Sequence, residues 1–298
     1  MSNPAKSSSV SLDRILADAE RALQSGDLAA ADRLFAGAVA LGANDVRVVR
    51  LHGMLLFRRG LFQQAAGSLA HAAENLPKDA AVQHALAIAL AESEEFDRSL
   101  AAYERTCALT PRDAGVWFNR GRLHVKLAQT DTAITALERA VELNPKLVEA
   151  QVLLIDLTSK ARGDVATAEK QYRKVLNGQP QAGWAWWGLA NLKTTHFSDA
   201  DVAQLERVAN DDASREDNRI ACGFALAQAL DDRGDLDRSM AVLDAVNARM
   251  RKRVPWDRAA CSAEMDDLLA RFTPPLVGSQ KAQGDEVIFI VSLPRSGS

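Results

Sequence analysis

The sequence predicts an all-α array of antiparallel helix pairs, followed by the first strand of an α/β domain. Three observations predict it. Pro77, Pro111 and Pro145 stand 34 residues apart. On the same spacing run three rows of small residues, Ala19/Gly53/Ala87/Gly121, Ala31/Ala65/Ser99/Ala133 and Ala38/Ala72/Thr106/Ala140, and one bulky row, Phe35/Leu69/Tyr103/Leu137. Finally, the five apolar residues 287–291 run straight into Ser292-Leu293-Pro294-Arg295-Ser296-Gly297-Ser298, a strand covered on both faces that empties into a Pro/Ser/Gly loop.

The helix pair explains the rows. Within one unit Leu51, Met54 and Leu55, then Phe62, Ala65, Ala66, Leu69 and Ala73, fall at helical spacing on either side of Arg58-Arg59-Gly60. The first unit turns at Ser25-Gly26-Asp27, where glycine suits the backbone of a helix end. Small residues let two helices cross closely, the bulky row fills the gap to the next pair, and the proline ends the second helix.

Taken in order, residues 1–11 are predicted to be disordered. Units then span 12–45, 46–79, 80–113, 114–147 and 148–182, the last with one extra residue before Gly163-Asp164. A degenerate unit follows at 183–219, with Trp184, Trp186 and Trp187 beside Leu189 and Leu192. In it Ser198–Asp201 and Ser214–Asp217 read as capping boxes opening helices. A further unit covers 220–253, a capping helix 254–273, and a polar, turn-rich linker 274–286 before the terminal strand.

The 34-residue template resembles the tetratricopeptide repeat, with Trp117, Gly121, Ala133, Ala140 and Pro145 the best single copy. That resemblance implies a solenoid whose concave groove is lined by the first helix of each pair, and a protein or peptide partner held there. Trp117, Asn119, Arg122 and Lys126 are the groove candidates, able to meet a peptide backbone or acidic side chains; the alternative is a solvated helix face. The three clustered tryptophans read as packing or as a ligand box. The basic cluster Arg249, Arg251, Lys252, Arg253 and Arg258 reads as helix-end charge or as a docking patch.

Composition narrows the partners. A net charge of −3 and a pI near 6.0 give no reason to expect nucleic acid or an acidic membrane, and no run approaches the ~20 apolar residues of a spanning helix. Met1–Ser9 lack the apolar core of a signal peptide, so a cytoplasmic location is expected. Cys107, Cys222 and Cys261 have no C-x-x-C spacing, and His52, His71, His84, His124 and His196 are scattered singly, so no metal is expected.

The terminal loop is neither a Walker A motif, since Ser298 stands where lysine is required, nor a G-x-G-x-x-G turn. Pro294, Arg295, Ser296, Gly297 and Ser298 instead resemble the 5′-phosphosulfate loop of sulfotransferases, in particular the protein-tyrosine-sulfotransferase-like branch. The stretch 187–193 with Phe197-Ser198-Asp199 resembles the segment preceding that domain in bacterial repeat–sulfotransferase proteins. The resemblance implies a sulfotransferase of P-loop-like α/β fold using 3′-phosphoadenosine 5′-phosphosulfate. Arg295 would supply charge, the two serines hydroxyl donors and Gly297 close backbone approach. The catalytic base and the 3′-phosphate site would lie beyond Ser298, so the chain itself is expected to be an inactive fragment. A non-catalytic interaction scaffold is the rival reading.

Overall fold

The computed structural model describes residues 4–254 and 256–271, with side chains from Leu12 onward. Among them every regular element is an α-helix, and the first ten helices form five successive pairs. These are α1 (Pro4–Ser25) with α2 (Leu28–Gly42), α3 (Val46–Arg58) with α4 (Phe62–Asn75), α5 (Ala80–Glu92) with α6 (Phe96–Leu109), and α7 (Ala114–Lys126) with α8 (Thr130–Leu143). Then comes α9 (Val148–Arg162) with α10 (Val165–Gly178); α11 (Gly183–Asn191), α12 (Asp199–Asn210), α13 (Glu216–Asp231), α14 (Leu236–Arg253) and α15 (Arg258–Arg271) follow. The strand predicted at 287–291, its loop and the linker 274–286 lie outside the described residues.

The rows do what their sizes predict. A Cβ on Gly53 would lie 2.9 Å from Leu69 Cγ, and one on Gly121 the same distance from Leu137 Cγ. The two helices of a pair therefore touch at a point where only a small residue fits. Ala31, Ala65, Ser99, Ala133, Ala38, Ala72, Thr106 and Ala140 are all fully buried, as are Leu69, Tyr103 and Leu137 of the bulky row. At Ser99 the buried hydroxyl donates to Ala87 O at 2.6 Å, so polarity enters the row with its hydrogen bond made.

Two further features recur on the period. Asp45, Asp79 and Asp113 each cap the first helix of a pair, accepting backbone N–H groups at 2.8–3.0 Å. The turn inside each pair uses a left-handed residue at Gly26, Gly60, Glu94 and Ala128, with φ of 79°, 73°, 62° and 56°. Repeat register thus overrides residue preference at Glu94 and Ala128.

Some expectations shift. The backbone is helical from Pro4, eight residues before the expected start of the first unit; proline is compatible with a first helical position. The box at Ser198–Asp201 forms, but the one at Ser214–Asp217 does not. Arg215 takes the cap position without a side-chain bond, and the Ser214 hydroxyl is drawn to Asp211 at 2.8 Å. The segment expected to be a degenerate repeat forms two helices, α11 and α12, each of which packs on α13. Here α11 packs directly on α13: a Cβ on Gly183 would lie 2.5 Å from the Asn218 carbonyl oxygen.

The chain divides into two compact units after Val246. In the second, Asp257 accepts the backbone N–H groups of Ala259 and Ala260, capping α15, whose Met265, Leu268 and Leu269 are exposed.

Candidate functional site

First helices of successive pairs lie side by side, α1 on α3, α3 on α5 and α5 on α7, and again α9 on α11 and α11 on α13. The site candidates Asn119, Arg122 and Lys126 sit on α7 at spacings of three and four, one face of the helix. Asn119 reaches across to α5, its amide 3.2 Å from His84 Nε2. Burial holds the His84 imidazole below its ordinary value of 6.5, so the neutral ring accepts the amide N–H, and it packs edge-on to Tyr103.

Arg122 and Lys126 are exposed, and neither makes an ion pair among the described residues. Aromatic faces hold them: the Arg122 guanidinium is 5.8 Å from the Phe118 ring centre, and Lys126 Nζ is 4.9 Å from that of Phe96. Two cations of α3 differ. Arg47 bonds Asp13 at 2.5 Å and Asp45 at 2.7 Å; Arg50 bonds Asp79 at 2.6 Å and Glu20 at 2.7 Å. Arg47 and Arg50 on α3 are thus neutralised by carboxylates, while Arg122 and Lys126 on α7 keep their charge uncommitted.

Trp117 is not brought together with these three. Its Nε1 donates to Pro111 O at 3.1 Å, Arg120 lies over its ring at 5.5 Å, and it packs between repeats. Trp186 repeats the same bond to Pro180 O at 2.9 Å and is buried, whereas Trp184 is exposed and Trp187 half-buried. Arg249, Arg251, Lys252 and Arg253 lie in the last turns of α14, and Arg258 opens α15.

One polar pair went unpredicted. The buried Tyr172 hydroxyl donates to the Asp156 carboxylate on α9, and burial raises both groups above their ordinary values. No row signal marks Asp156, because its neighbour arrives from the second helix of the same pair. Among the described residues no group of three or more His, Cys, Asp or Glu side chains is arranged to hold a metal ion. The phosphosulfate-loop candidates Pro294, Arg295, Ser296, Gly297 and Ser298 lie outside the described residues.

Comparison with known proteins places this geometry. A tetratricopeptide-repeat family model matches residues 85–171. A solved tetratricopeptide repeat protein from Parabacteroides merdae shares 17% identity over 87% of this chain and 98% of its own, with a TM-score of 0.59. The MamA protein of Desulfovibrio magneticus shares 20% identity over 56% of this chain and 93% of its own, at 0.50. A 52-residue stretch is 35% identical to a cell division cycle protein 27 homolog of Caenorhabditis elegans, of which the chain spans 7%. These findings establish a tetratricopeptide-type repeat fold. They also overturn the expected enzyme: the matching family model and the solved structure that spans most of this chain are of tetratricopeptide-repeat type and not of a sulfotransferase. Among the described residues no helix is long and apolar enough to cross a membrane.

Proposed function

We propose that the chain is a protein-interaction scaffold that holds an extended acidic segment of a partner along the row of first helices, with α7 as its principal contact. Repeats of this type present their first helices to a partner, and their stability comes from neighbour contacts that leave this face free. The observation that carries the reading is the pair of exposed, uncommitted cations Arg122 and Lys126, beside the Asn119 amide, where Arg47 and Arg50 of α3 are already spent on carboxylates. Arg122 would take a carboxylate through paired N–H donors and Lys126 as a point charge, while Asn119 retains an amide oxygen for a backbone N–H.

The test is a fluorescence-anisotropy titration with a labelled, N-acetylated hexaglutamate peptide. Two exposed charge contacts of ~0.5–1 kcal/mol each predict a loss of roughly fivefold to thirtyfold in Arg122→Ala/Lys126→Ala. Arg47→Ala should bind as the parent does. Equal loss in both variants would mean that the peptide reads net charge and not this site.

A further inference from the structure

Between α11, α13 and α14 lies a second surface of different chemistry. The Trp187 and Phe224 rings, 5.5 Å apart and inclined at 51°, form two walls of a cavity of about 240 Å³, and Leu236, Met240 and Leu243 line the rest. The rim carries the Asp231 carboxylate, which makes no ion pair among the described residues, and no lysine, arginine or histidine lines the cavity. Gln228 donates its amide to Asp232 at 2.9 Å, which leaves its own carbonyl oxygen to accept. The Ser239 hydroxyl is spent on Ala227 O at 2.8 Å. Leu236 and Met240 are each 58% exposed, so the apolar wall is open for an aliphatic stem to cover.

Two π-faces, one carboxylate and one amide oxygen around an apolar hollow attract positive charge. We infer that this pocket binds a basic side chain of a partner protein segment, arginine in preference to lysine. A guanidinium stacks flat on an indole while offering paired N–H donors to a carboxylate, and its methylenes cover Leu236 and Met240. Trp187 and Phe224 belong to α11 and α13, which pack side by side, so a segment lying along these two helices would pass this pocket. Only the choice of a polypeptide as bearer of the cation rests on the proposed groove.

The experiment is an NMR titration of the full chain with N-acetyl-L-argininamide, reading the indole N–H resonance of Trp187, identified by its loss in Trp187→Phe. A saturable shift is expected, weakened by about fivefold or more in Asp231→Asn. N-acetyl-L-glutaminamide, isosteric in part but uncharged, should produce none. No shift with argininamide, an equal shift with glutaminamide, or undiminished affinity in Asp231→Asn would overturn the assignment. The probe is too small to span from this pocket to α7, so Arg122→Ala/Lys126→Ala should leave the titration unchanged. A failure here is therefore distinct from a failure of the groove at α7.

Discussion

Gly183→Ala tests the close approach of α11 and α13 with a single methyl group. The added Cβ would stand 2.5 Å from the Asn218 carbonyl oxygen, 2.6 Å from its Cα and 3.0 Å from its carbonyl carbon, all backbone atoms of α13. No rotamer change relieves such a contact, so the helices must separate across a face where Ala185, Leu189, Cys222 and Ala225 are fully buried. Separation also breaks the bond from Gly183 N–H to Asn218 Oδ1 at 3.2 Å. Overpacking costs about 1–3 kcal/mol. The lost hydrogen bond costs about 1 kcal/mol more. Alanine's smaller unfolded-state entropy offsets about 0.4–1 kcal/mol. The expected net loss is about 1–3.5 kcal/mol. Gly67→Ala is the control: that glycine is exposed inside α4 with no atom within 4 Å of its would-be Cβ, and it should gain about 1 kcal/mol of helix propensity. Urea unfolding followed by far-UV circular dichroism should move the two midpoints in opposite directions. A Gly183→Ala midpoint at or above the parent's, with Gly67→Ala behaving as expected, would refute the backbone-contact argument.

Other perturbations follow from the same packing. Ala128 is held at φ 56°, so Ala128→Gly should raise stability by about 0.5–1 kcal/mol, read as a later urea midpoint. Asp113→Ala removes the cap that accepts Gly115 and Val116 N–H and should cost about 1 kcal/mol in the same assay. His84 is protonated more readily unfolded than folded, so its neutral form contributes stability above pH 6.5 that is lost as pH falls below that value towards the folded one. Unfolding free energies measured across pH 5–7 should therefore fall less steeply on acidification in His84→Gln; an identical slope would contradict the buried, neutral ring.

Much of the fold was legible because a repeat states each structural rule several times. A small residue at one crossing means little, but Ala19, Gly53, Ala87 and Gly121 on a fixed spacing specify a helix contact, and all four are buried. The caps Asp45, Asp79 and Asp113 keep the same spacing, but that row emerged only from the structure. The left-handed turns at Glu94 and Ala128 were not, since neither residue prefers that conformation and the neighbouring helices impose it. Site chemistry was less legible. Sequence spacing brought Asn119, Arg122 and Lys126 to one face, yet only three dimensions show that Arg47 and Arg50 are neutralised by carboxylates about 30 residues away while Arg122 and Lys126 are not. Trp117 drew attention as an aromatic among cations, but its indole N–H is committed to Pro111. The Trp187–Phe224 pocket joins residues from three helices, and no single stretch announces it.

Hydrogen–deuterium exchange of the chain with and without the hexaglutamate peptide tests the binding face most directly. Slowed exchange should concentrate in α5 and α7, around His84 and Asn119, with α6 and α8 unchanged at their outer residues. Protection confined to the second helices of the pairs, with α7 exchanging as in the free chain, would contradict a scaffold that binds along its row of first helices.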